Sequence, residues 1–237
     1  MKVLILNTAL DYVHDCIPEA AACVAAIAKG LKVESVVSSN VSDWFRDIET
    51  LSQFAAIVFN NNSGDLFDED EKKVFQAYIA AGHGVMGVHA ATASFLSGED
   101  ASGATVMSTT YPFYSDMWGA SFTDHPPLQD GSVLVDTEAC ARLGINLPQE
   151  YQTNDEWYNY DRNVCENENV TVLARAKVST IDGNKMGDQH PLVWHQEFSK
   201  SRVFYTALGH HPEAYKSDEK IIGVLRGGLK WCLKMSS

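Results

Sequence analysis

The side chains in this sequence best suited to chemistry are its eight histidines, and one of them has a telling setting. Gly87-Val88-His89-Ala90-Ala91 puts small residues around an imidazole, directly after the apolar run Gly84 to Val88. Small neighbours permit the sharp strand-to-helix turn of a nucleophile elbow, which presents one side chain at the end of a sheet. An imidazole there is a weak substitute for a thiolate in acyl transfer, but it can accept a proton or bind a metal. The plainer alternative is a histidine that only caps the next helix.

Three further clusters join it. Leu192 to Phe198 and Arg202 to Thr206 flank Ser199-Lys200-Ser201, a spacing that predicts an antiparallel hairpin. Such a hairpin brings His190 and Trp194 back beside Gly209, His210 and His211, at the His89 end if its second strand runs with the sheet. Asp155-Glu156-Trp157-Tyr158 sets two carboxylates beside two aromatics. In a strand, Asp155 and Trp157 face one way, Glu156 and Tyr158 the other. That is either a solvated edge strand or a sugar-binding wall, where aromatic faces cover C–H patches and carboxylates accept hydroxyl hydrogen bonds. Asn60 to Asp65 supplies more amide donors than a turn needs. His125, before Pro126, reads as a lid residue or a turn. His83 reads as structural, and His195 alternates away from Trp194.

The elements that must carry these groups alternate. Lys2 to Leu6, Leu31 to Val37, Ala55 to Phe59 and Gly84 to Val88 read as strands. Pro18 to Lys29 and Asp68 to Ala81 read as helices, the second with an acidic first turn and Gly82 beyond its end. Residues 96 to 150 look irregular, with a strand near Ser132 to Val135. Val170 to Lys177 gives a later strand, and Ser217 is expected to cap a last helix, Asp218 to Leu233. Alternation of this kind predicts an α/β fold: a doubly wound, mostly parallel, flavodoxin-like sheet with helices on both faces and a C-terminal antiparallel hairpin. Ligands of such sheets bind outside the carboxyl ends of the strands, where Asn7-Thr8, Asn60 to Asp65 and His89 fall.

Bulk composition narrows the partners. A chain of 237 residues, 45% hydrophobic and without an internal linker, is expected to be one domain over residues 1–237. Its net charge of −13 repels polyanions, which argues against nucleic acid and anionic membranes. Five scattered cysteines without a C-x-x-C pair fit neither a disulfide framework nor a thiolate zinc site. With no signal-peptide core and no membrane-length apolar run, a cytoplasmic protein is expected, and a homo-oligomer stays open.

Taken together, His14 after the first strand, Asn60 to Asp65, Gly87 to Thr92, Gly119 to His125, Asp155 to Tyr158, Gly187 to Pro191 and Phe204 to His210 resemble the trehalose-utilisation (ThuA-like) family. That family has the class I glutamine amidotransferase-like fold. Amidotransferases of this fold carry cysteine where His89 stands, so the resemblance implies no glutamine amidotransferase activity. His211-Pro212-Glu213 looks like their histidine and glutamate segment, left without a nucleophile. Many relatives carry an acidic residue where this chain has Ala93. The resemblance implies action on a carbohydrate, a trehalose-like disaccharide or its keto derivative, by a hydrolase, lyase or isomerase. Acid/base or metal-assisted chemistry is then expected of His89, His210 and Glu156. Substrate binding is expected of His14, Asn60, Asn61, Asp65, His125, Trp157, His190 and Trp194. A divalent metal such as zinc on His14, His89, His190 or His210 is a further expectation. The competing class is a non-catalytic sugar-binding or regulatory module.

Overall fold

Apolar runs that are buried on both faces have one stable arrangement, side by side in a sheet covered above and below. In the computed structural model, which describes residues 1–97 and 107–235, the runs pair in that way. The elements are β1 (Lys2–Leu6), α1 (Ile17–Gly30), β2 (Glu34–Ser38), α2 (Ile48–Leu51), β3 (Ala56–Asn60), α3 (Glu69–Ala81) and β4 (Gly84–Val88). Next come β5 (Leu96–Ser97), β6 (Ser108–Thr109), α4 (Pro112–Trp118), β7 (Phe122–Asp124), β8 (Gln129–Val135), α5 (Thr137–Arg142), β9 (Glu150–Asp155) and β10 (Asn159–Tyr160). The chain ends with β11 (Val170–Ala176), β12 (His190–Phe198), β13 (Ser201–Thr206), α6 (Ala214–Ser217) and α7 (Glu219–Cys232).

The central sheet has the strand order β2-β1-β3-β4-β13-β12-β11-β8-β9. Its first five strands are mutually parallel, and the other four extend it by antiparallel pairing. The sheet is mostly parallel by strand direction, since only β12 and β8 run against the rest. β12 and β13 pair antiparallel, with Trp194 opposite Tyr205. Helices cover both faces, as alternate residues of β13 record: Phe204 packs under Gly228 of α7, while Tyr205 meets Trp118 of α4.

Several local readings need correction. The stretch from 96 to 150 is less irregular than expected: besides the strand near Ser132 to Val135, which is β8, it holds α4 and α5, which the scattered Gly, Thr and Asp residues obscure. Ser217 does not cap the last helix; it closes α6, and the Asp218 carboxylate accepts the Lys220 N–H instead. β2 begins at Glu34, because Leu31 closes α1 and Lys32 adopts a left-handed φ of 60°. Asp68 is the cap of α3, in a capping box with Glu71. Among the described residues, no helix is long and apolar enough to cross a membrane.

Two consequences of this packing can be measured. A Cβ on Gly228 would lie 2.4 Å from Phe204 Cδ1, so Gly228→Ala should destabilise the protein by about 1–3 kcal/mol, although alanine is the better helix former. Urea unfolding decides the sign. His195 on β12 packs against Trp231, and burial, aided by Arg202, lowers its pKa from 6.5 to about 4. Below pH 6.5 the unfolded chain takes up a proton that the folded chain refuses, so stability should fall as pH drops from 6.5 to about 4. His195→Phe should flatten that part of the urea-midpoint profile.

Candidate metal centre

The site is assembled from four loops that leave strand ends. His89 follows β4 with a φ of 49°, a conformation costly for any residue with a Cβ, which turns its ring out at the end of the sheet. Two contacts hold it there. The Tyr205 hydroxyl donates to the His89 carbonyl at 2.7 Å, and His89 Nδ1 faces the Ala207 carbonyl. A carbonyl only accepts, so Nδ1 bears a proton, and in the neutral imidazole Nε2 then points its lone pair into the site. His14 comes from the loop after β1, Glu156 from the segment after β9, and His210 from the loop after β13.

These four residues converge. Glu156 Oε2 lies 3.2 Å from His89 Nε2, 3.2 Å from His210 Nδ1 and 3.9 Å from His14 Nε2. One ligand atom from each of the four fits within 4.8 Å of all the others. Three of the residues are buried and His210 is partly exposed. A tetrahedral zinc with bonds of about 2.0–2.1 Å needs its ligand atoms about 3.3–3.4 Å apart, so small shifts would close this set around one ion. Nδ1 of His210 and Nδ1 of His14 are buried and lack a hydrogen-bond partner, and the former is the atom directed at Glu156. Three nitrogens and one carboxylate oxygen are the donor set of a divalent zinc-like ion.

The charges of the set agree with that reading. Burial opposes ionisation of Glu156, but the three imidazoles beside it outweigh burial and hold the carboxyl far below the usual range. Burial lowers the pKa of His14, with His89 and His210 adding to the effect. The Glu156 carboxylate raises His210. Asp155 lies beneath them, nearly inaccessible. Its carboxylate accepts N–H groups from Glu156 at 2.9 Å, Gly209 at 2.9 Å and His210 at 3.2 Å, so it joins two of the converging loops. Burial pushes its pKa up.

A cavity of about 400 Å³ opens onto this group, with His14, Glu156, Tyr12, His125 and Tyr158 in its wall. Ala93 lines it as well. No lysine or arginine does among the described residues. His125 Nδ1 faces the Pro126 carbonyl at 2.8 Å, and its Nε2 stands 3.7 Å from Glu156 Oε1. Tyr158 Oη lies 3.0 Å from His89 Nε2, and burial holds the phenol well above its ordinary pKa.

Other expected residues lie elsewhere. His190 is buried away from the cluster, Nε2 against the Tyr158 carbonyl at 2.9 Å and Nδ1 against Asn184. The hairpin brought its backbone near, but its side chain leaves on the other side and supports Tyr158. Trp157 and Trp194 are core residues, donating to the Gln129 and Trp118 carbonyls, and neither lines the cavity. Asn60 binds Asn7 and Ile17, Asn61 binds Asn60, and Asn62 binds the Leu6 and Thr8 carbonyls. Those amides serve the loop that carries His14. Asp65 is exposed and accepts the Thr110 hydroxyl. His211 turns to Asn154. Tyr158 and Asp155 fall in the segment read as an edge strand or a sugar-binding wall, but not as partners of His89 and of the loops, and Tyr205 was not singled out. The pairing of Asp155 with Glu156 in sequence was a signal for the first two, and nothing local marks Tyr205. Cys16, whose thiol donates to Asn61, is raised by burial to about 12 and offers no thiolate.

Comparison with known proteins agrees over nearly the whole chain. The family model for trehalose utilisation, ThuA, matches residues 2–232. A solved structure from Bacteroides uniformis described as ThuA-like superposes with a TM-score of 0.73 at 20% identity, covering 98% of this chain and 90% of that one. A second protein so described, from Parabacteroides merdae, gives 0.70 at 17% identity over 100% and 91%. A β-galactosidase from Bacillus circulans gives 0.55 at 11% identity, over 98% of this chain and 30% of its own. No curated protein shows significant sequence similarity.

The buried Asp155 anchor yields a test. Asp155→Asn would turn amide hydrogens toward backbone N–H groups that need an acceptor, and should cost about 1–3 kcal/mol of stability in urea. Loss of less than about 0.5 kcal/mol would mean that the two loops are held by other contacts.

Proposed function

The chain belongs to the trehalose-utilisation (ThuA) family, and from that premise we propose that it is a carbohydrate-modifying enzyme whose centre, His14, His89, Glu156 and His210, holds one divalent cation such as zinc. The observation that carries the proposal is the approach of three imidazole nitrogens to a single carboxylate oxygen at 3.2, 3.2 and 3.9 Å. His190 in the core spends its ring nitrogens on two separate partners, whereas here nitrogens from three rings are directed at a common point.

When bound, the cation would polarise a substrate oxygen or lower the pKa of a bound water. The protein's own groups do the rest. Ala207 fixes the tautomer of His89. His125, with Nδ1 committed to Pro126, presents its Nε2 lone pair at the cavity wall, where a general base is needed. Tyr12 and Phe122 supply aromatic surface for the C–H faces of a sugar. A cavity with acidic groups and no lysine or arginine in its described wall suits a neutral sugar better than a phosphorylated one. A trehalose-like disaccharide or its keto derivative fits that description, and acid/base work by His125 would accompany the metal.

Calorimetry and elemental analysis on purified protein should give one zinc per chain. Glu156→Gln or His89→Ala should weaken binding at least about 100-fold while leaving a folded protein. Because the imidazoles must be neutral to bind and the Glu156 carboxylate raises His210 above its ordinary 6.5, affinity should begin to decline above that pH and keep falling as pH drops. Turnover of trehalose or keto-trehalose should require the metal and cease with a chelator. A protein that binds no divalent cation would overturn the metal centre; one that binds sugar without forming product would be a binding module.

A further inference from the structure

In neutral His89, Nε2 has one lone pair and two claimants, the Tyr158 hydroxyl and a cation; the Glu156 carboxylate 3.2 Å away can only accept and claims none. With Nδ1 protonated toward Ala207, Nε2 can accept a single hydrogen bond or hold a single metal ion. The Tyr158 hydroxyl lies 3.0 Å from that nitrogen and makes no other protein hydrogen bond among the described residues. The ring itself is fixed. It packs against His89 at 4.6 Å and Phe122 at 4.5 Å between centroids, and His190 binds its backbone carbonyl at 2.9 Å. Only the O–H bond is free to rotate, and the residue forms part of the cavity wall.

We infer that Tyr158 is a substrate-contacting catalytic residue: when a cation takes the His89 lone pair, the displaced Tyr158 hydroxyl donates to an oxygen of the neutral carbohydrate in the cavity. This rests on the metal-centre reading above. The physical reason is that a buried hydroxyl deprived of its acceptor must find another or lose a hydrogen bond. The cavity side is where its wall position directs it. Metal loading and substrate binding are thereby coupled through one proton's direction, with no change of fold and no proton leaving the phenol.

Tyr158→Phe removes the hydroxyl and keeps the ring that packs on His89. Zinc alone is the first probe, titrated by calorimetry into the intact protein. Deleting a competitor for the lone pair should tighten zinc binding by about three- to tenfold. Equal or weaker binding would overturn the inference, since the hydroxyl would then be inert toward His89 or a prop for it. Trehalose is the second probe, added to the zinc-loaded proteins. The variant should bind it at least about tenfold more weakly, and equal affinity would also overturn the inference. If the unaltered protein binds no zinc, the proposed function fails and this inference with it. If it binds zinc but not trehalose, the sugar assignment fails, while the zinc comparison still decides whether Tyr158 competes for His89.

Discussion

At the carboxyl end of the sheet the buried Asp155 carboxylate accepts backbone N–H groups of Glu156, Gly209 and His210, and the site is arranged around that contact. Three strands separate β9 from β13 in the sheet order. At ordinary strand spacing a flat sheet would hold their ends roughly 19 Å apart. Gly209 lies three residues beyond the end of β13, so the loop after that strand, together with the ordinary twist of a sheet, brings it within 2.9 Å of Asp155. A carboxylate with three N–H donors offsets part of its desolvation, and the same three bonds orient Glu156 and His210 toward each other.

The cluster itself is unfavourable as a set of bare ligands. A buried carboxylate needs positive partners, and imidazoles crowded within 4.8 Å resist collective protonation. Burial, with His89 and His210 adding to it, lowers His14, while the Glu156 carboxylate raises His210. A divalent cation would remove the conflict, because it pairs with the carboxylate and every lone pair at once. Around this polar group the supports are rigid: the positive-φ elbow at His89, the Tyr205 hydrogen bond to its carbonyl, and the amide ladder from Asn60 to Asn62 under the His14 loop.

Polarity is also sorted across the cavity. His14, His125, Asp11 and Glu156 share its wall with aromatic and alanine surface, and described lysines and arginines stay out of it. The solved relatives, at 17 and 20% identity, establish the fold and leave the chemistry to be argued from these residues. The β-galactosidase match spans 30% of that enzyme, so this architecture also forms part of a much longer chain.

Sequence alone determined what depends on neighbours along the chain. The strand runs of β1, β3 and β4, the helix α3 with its acidic start, the β12–β13 hairpin and the elbow at His89 each follow from local spacing and turn chemistry. The resemblance to the ThuA family was legible for the same reason, being carried by short motifs. Tertiary structure decided what depends on side-chain direction and on the order of the strands. His190 lies beside the right strand end yet points to Tyr158 and Asn184, and Trp194 points into the core, because strand pairing sets backbone proximity and not the face each side chain takes. Glu156 reaches three histidines from the far edge of the sheet, and Tyr158 reaches His89 across 69 residues of chain. Those approaches depend on the loops beyond β9 and β13 and on the order of the strands between them, which no single segment encodes.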